Sequence, residues 1–196
     1  MRRQKIKRIS PEQRRKEFKS TLFFGYGSLL RPEGINRKGM LHRYVDGEIK
    51  IAKLQGYERS MCGYFGGRNF YGLLPNKDAY CNGVIFKIHN WDDYRTLLLS
   101  EGATSSFRRA RSYWPVDVAG RIKTRMKTDG CRVIALVCKD DRSGLGHIPI
   151  SYIRLCWMLA QRWGERFSNE FLKTGGIKYD KEKLLKLRRE GKLNLW

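Results

Sequence analysis

Bulky and β-branched residues run from Thr21 to Phe24 and stop at Gly25, the pattern of a strand that enters a core and ends in a turn. Further strands are predicted over Leu54 to Met61, Gly72 to Pro75 and Gly83 to Ile88. The last two are joined by the polar turn Asn76-Lys77-Asp78. Asn90-Trp91-Asp92-Asp93 reads as a helix start, with Asn90 as cap and acids in the first turn. That helix runs through Tyr94, Leu97 and Leu98 and stops near Gly102. Arg108 to Val118 reads as a strand broken at Pro115, and Gly130 to Lys139 as a strand with a buried centre at Val133 to Val137. Helical spacing follows over Pro149 to Trp163, then over Glu165 to Lys173, with Gly175-Gly176 as the stop. These elements predict a mixed α/β domain over 21–175.

The ends are different. Residues 1–20 are rich in Arg and Lys without apolar periodicity, apart from a short helix start at Ser10-Pro11-Glu12-Gln13. Residues 176–196 form a second basic segment. Both read as extensions, the first ordering on a partner. The whole chain of 196 residues carries 41 Lys and Arg against 19 Asp and Glu, a formal charge of +22. Nine cations face two acids in 1–21, eight face three in 173–196, and 24 face 14 between them. The folded part is therefore basic in its own right, which favours a polyanionic environment, chiefly nucleic acid. No apolar run is long enough to span a membrane. Five scattered cysteines without a C-x-x-C pair read as free thiols in a reducing compartment, cytoplasmic or mitochondrial. His42, His89 and His147 stand far apart in the chain, so no metal site is expected.

Two places suggest chemistry. The run Phe23-Phe24-Gly25-Tyr26-Gly27-Ser28-Leu29-Leu30 is a strand end rich in glycine, able to aim several amides at one anion or to be an ordinary tight turn. Glu101 sits where the apolar helix end Leu97-Leu98-Leu99-Ser100 meets Gly102. A partly desolvated carboxylate there is a good base near neutral pH; a surface Glu at a helix end is the plain alternative. Cys62 to Tyr71 interleaves aromatics, glycine and Arg, which suits stacking on single-stranded bases or a glycine-rich loop beside a pocket.

Taken in order, Phe24 to Leu29, Gly72-Leu73-Leu74-Pro75, Gly83 to Phe86, Ser100-Glu101-Gly102, Phe107-Arg108-Arg109 and Pro149-Ile150-Ser151-Tyr152 resemble the motif set of the γ-glutamylcyclotransferase-like family, which includes the plant avirulence-induced proteins. Phe107 stands where the family often has a tyrosine. The resemblance implies a compact, barrel-like mixed sheet ringed by helices. It also implies an intramolecular reaction in which the α-amine of a γ-glutamyl compound attacks its own γ-amide, giving 5-oxoproline and a free amine or amino acid. Glu101 is the implied base and acid. Tyr26, Gly27, Ser28 and Leu29 are the implied substrate-binding turn, with Tyr152 offering a hydroxyl. No metal or organic cofactor is implied. A repurposed or catalytically silent fold within a ribonucleoprotein is the alternative that the charge suggests.

Overall fold

The computed structural model describes Phe18 and residues 21–103, 112–128 and 130–175. The helix start at Ser10, the Phe107-Arg108-Arg109 segment and the basic tail beyond 175 lie outside the described residues. Six strands form one mixed sheet: β1 (Thr21–Gly25), β2 (Lys50–Phe65), β3 (Arg68–Ile88), β4 (Tyr113–Asp117), β5 (Ile122–Thr124) and β6 (Arg132–Cys138). The helices are α1 (Pro32–Asn36), α2 (Trp91–Ser100), α3 (Ile150–Gln161) and α4 (Glu165–Lys173). Among the described residues, no helix is long and apolar enough to cross a membrane.

The strand order is β4-β6-β1-β3-β2-β5. β1 is central, antiparallel to β3 and parallel to β6, and all five of its residues are buried. The sheet curls without closing, in keeping with the barrel-like mixed sheet expected from sequence. β4 and β5 remain edges, and one parallel bridge, Leu73 to Val137, ties β3 to β6 across the curl. Pro115 lies within β4 rather than breaking it, tolerated because an edge strand has no partner on its outer side.

Where two strands joined by a turn are predicted, β3 is a single strand of 21 residues. Its polar stretch is a bulge: Gln55 pairs with Tyr80 and Tyr57 with Pro75, so residues 76–79 oppose Gly56 alone. The side chains of Asn76 and Glu58 hydrogen-bond at 2.7 Å, and Asn76 Oδ1 accepts the Asp78 amide at 3.2 Å. A bulge of this kind bends the strand without ending it. The aromatic run 62–71 is likewise not a loop. It is the tip of the β2–β3 hairpin, turning at Gly66 and Gly67, whose φ values of 56° and 75° suit a tight hairpin turn.

The free-thiol expectation is also corrected. Cys62 of β2 is bonded to Cys138 of β6, with Cα atoms 6.3 Å apart, while Cys81, Cys131 and Cys156 are free. Linear spacing carries no information about strands that meet only through the sheet. Gly72 makes the room, since a Cβ there would overlap both sulfur atoms. Beneath α4, Arg59 is 1% exposed. It donates to the Asn82 carbonyl, to Asn82 Oδ1 at 3.0 Å and to the Phe171 carbonyl at 3.0 Å, with its guanidinium 3.9 Å from the Phe171 ring centroid. The partial negative charge at the C-terminal end of α4 faces this cation.

Candidate active site

The turn after β1 owes its glycines to crowding rather than to left-handed backbone. A Cβ on Gly25 would sit 2.7 Å from the Leu29 carbonyl oxygen, and one on Gly27 would sit 2.9 Å from the Tyr152 hydroxyl. Gly34 in α1 completes the fit, since a Cβ there would overlap the Ser28 carbonyl oxygen. Among the described residues, the amides of Gly27, Ser28 and Leu29 make no main-chain hydrogen bond. Tyr26 points away into the core, where its hydroxyl donates to the Leu136 carbonyl at 2.7 Å. Leu29 is buried as well. Of the four turn residues expected to bind substrate, Ser28 lines the neighbouring cavity, whereas Tyr26, Gly27 and Leu29 do not; the buried side chains of Tyr26 and Leu29 anchor the turn from below.

Glu101 is placed by the end of α2. Asn90 caps the start, accepting the Asp93 amide at 2.8 Å. At the other end Gly102 adopts φ 69°, the Ala103 amide reaches the Leu98 carbonyl at 2.8 Å and the Gly102 amide reaches Leu99 at 3.1 Å. This double closure stops the helix at a defined residue and fixes the direction in which Glu101 leaves it. The carboxylate is partly desolvated, as the sequence suggests, and it has a cation beside it that the sequence does not reveal. Lys38 Nζ lies 2.6 Å from Glu101 Oε1, and both side chains are about one-fifth exposed, at 21% and 19%.

The two come together at a cavity of about 390 Å³ lined by Ser28, Lys38, Glu101, Tyr113 and Tyr152, with Tyr64, Phe65, Phe70 and Tyr71 as an aromatic wall. Tyr152 stands at the start of α3, its ring edge-on to Phe70 at 5.0 Å. The Tyr113 hydroxyl donates to the Tyr71 carbonyl at 2.9 Å, and Gly63 leaves it room. Burial first, and then neighbouring thiol, phenol and carboxylate groups, push the Tyr26, Tyr113 and Tyr152 hydroxyls well above the ordinary phenol range. Burial pushes the Cys156 thiol beneath Tyr152 up to about 12. At neutral pH all four keep their protons, so they donate hydrogen bonds and do not act as bases.

Several of these residues escape the sequence reading. Lys38 is one of 41 cations and carries no local signal. Tyr113 reads as an ordinary strand residue. Asn69 is fully buried and holds the loop that leads into α3: its amide reaches the His147 carbonyl at 2.9 Å, its Nδ2 the Arg142 carbonyl at 2.8 Å, and its Oδ1 the Gly146 amide at 2.7 Å. The aromatic run 62–71 was the visible signal for the cavity wall.

No family model matches the chain, and no curated protein does. Solved structures do match. The chain is similar to a γ-glutamyl cyclotransferase, with a TM-score of 0.54 and 16% identity over 87% of this chain and 99% of that one. It is also similar to an uncharacterized protein from Homo sapiens, with a TM-score of 0.53 and 18% identity over 85% and 98% of the two chains. YkqA from Bacillus subtilis matches with a TM-score of 0.54 and 19% identity over 82% of this chain, but the match spans only 55% of YkqA. At these identities the likeness is one of fold.

Proposed function

We propose that this chain, built on the fold it shares with γ-glutamyl cyclotransferase, cyclises a γ-glutamyl amine or peptide to 5-oxoproline and releases the amine or amino acid. The observation that carries the reading is the Lys38–Glu101 ion pair, set in one cavity with Ser28 and Tyr152. A γ-glutamyl head is a zwitterion, and a neighbouring cation and anion are its complement. The α-ammonium docks on Glu101 and the α-carboxylate on Lys38. Glu101 then accepts a proton from the ammonium. The freed amine attacks the γ-carbonyl carbon, and the oxygen that gains charge is met by the amides of the Gly27–Leu29 turn. As the bond to the leaving nitrogen breaks, Glu101 returns its proton to that nitrogen, takes the second proton that the attacking nitrogen sheds on becoming the lactam N–H, and passes it to the released amine, which departs as an ammonium. Tyr152, held neutral, donates a hydrogen bond to the substrate. Nucleophile and electrophile belong to one molecule, so holding it in the folded-back conformation supplies much of the rate.

Incubating the purified chain with a panel of γ-glutamyl peptides and amines tests this. Release of 5-oxoproline is expected, falling about 10²–10⁴-fold in Glu101→Gln. A silent panel, or full activity in the variant, overturns the reading. The charge of +22 favours a second reading, in which the same fold also holds RNA. Filter binding that weakens steeply between 50 and 200 mM salt supports it, and a flat salt response removes it.

A further inference from the structure

A second constellation stands outside the residues that line the cavity. His42 and Glu48 lie in the segment between α1 and β2, and His89 follows the last residue of β3. The sequence keeps the histidines apart, but the fold brings the His42 and His89 ring centroids to 4.1 Å. His42 Nε2 is 2.8 Å from Glu48 Oε1, and one ligand atom from each of the three residues lies within 4.8 Å of the others.

The frame around them is built. Buried Asp93 accepts the amides of Leu41 at 2.6 Å and His42 at 3.3 Å, which pins the loop to the start of α2. Glu48 Oε2 accepts the Val45 amide at 2.9 Å, which orients the carboxylate. Tyr44 packs edge-on against His42 at 4.5 Å, and its hydroxyl donates to the Lys87 carbonyl at 2.7 Å, two residues before His89.

We propose that His42, Glu48 and His89 bind one divalent transition-metal ion, with zinc the best fit. Two imidazoles and a carboxylate supply three ligands and leave the fourth position of a tetrahedron open to water. Ligands about 2.0–2.1 Å from such an ion stand roughly 3.3 Å apart, so His42 and Glu48 need separate by only about half an ångström. Lys87 and the net charge of +22 oppose a cation held by charge alone. The site therefore favours an ion with affinity for imidazole over magnesium or calcium.

Calorimetric titration of the chelator-stripped full chain with zinc tests the proposal, with magnesium in parallel. One equivalent of zinc and no magnesium uptake are expected, with affinity falling at least tenfold in His89→Gln and in Glu48→Gln. His89 is exposed and Glu48 half-buried, and matching circular dichroism spectra will show that the variants fold. X-ray absorption of the zinc-loaded chain should show nitrogen and oxygen neighbours only. Absent stoichiometric uptake, unchanged affinity in a His42→Gln/His89→Gln double variant, or sulfur around the ion, which would place it at the free thiols, overturns the proposal.

Discussion

A carboxylate at the C-terminal end of a helix faces the negative end of the helix dipole, and Glu101 occupies that position on α2. Stability alone does not favour an acid there; Lys38, 2.6 Å away, offsets the cost, and the proposed function uses the pair as a receptor for a zwitterion. Lys38→Met should therefore raise KM for a γ-glutamyl substrate about tenfold or more, the scale of one lost charge-assisted hydrogen bond. The rise should vanish for a substrate whose α-carboxylate is an amide. Equal KM increases for both substrates would take Lys38 out of the carboxylate contact. The turn makes a separate prediction. The Tyr152 hydroxyl would lie 2.9 Å from a new Cβ at Gly27, so Gly27→Ala must displace it. Thermal denaturation should show Gly27→Ala costing about 1–3 kcal/mol alone and clearly less in a Tyr152→Phe background, where the opposing oxygen is gone. Additive costs would mean that some other contact is responsible.

Between elements, the long-range ties are the ones that matter, and they are the part of the structure that the sequence hides. The Cys62–Cys138 bond closes a loop of 76 residues and joins β2 to β6. In denaturant, thiol titration should find three reactive cysteines before reduction and five after; five at the start would deny the bond. Reduction should lower stability by about 2–4 kcal/mol. Arg59 ties β2 to β3 and to the end of α4, so Arg59→Ala should cost at least about 3 kcal/mol in urea denaturation and loosen α4 first in hydrogen exchange. Elements whose signals are local were legible: the Asn90 cap with its acidic first turn, the apolar centre of β6, and the Gly102 stop that leaves Glu101 in place. β3 was misread because Asn76-Lys77-Asp78 has the composition of a turn, and only the pairing with β2 reveals it as a bulge. Lys38, Asn69 and the cysteine pair were illegible for one reason. Each acts on a residue distant in the chain, and nothing local marks it.

At the scale of the whole molecule, the core holds an unusual set of protons. The Tyr26, Tyr113 and Tyr152 hydroxyls lie above the ordinary phenol range, and Cys156 is raised to about 12 from 9.0. Each group binds its proton more tightly folded than unfolded. The stability this represents is fully present below the unfolded values, near 9 for the thiol and 10 for the phenols. It declines as pH rises past them, because the unfolded chain then ionises while the folded one resists. The slope is about 1.4 kcal/mol per pH unit for each group inside its window. A second effect has the opposite sign. Lysines lose charge near pH 10.4, which relieves the self-repulsion of a chain at +22. That repulsion acts between exposed charges over a Debye length of about 8 Å at 0.15 M salt, and added salt screens it, whereas the buried protons are not screened. In 0.3 M salt the proton linkage should win. The urea midpoint is expected to fall between pH 8 and pH 10.5, and to fall less in Cys156→Ala, which has no thiol to ionise. A midpoint that holds or rises over that interval would show that these hydroxyls and the thiol are not sequestered together in the folded core.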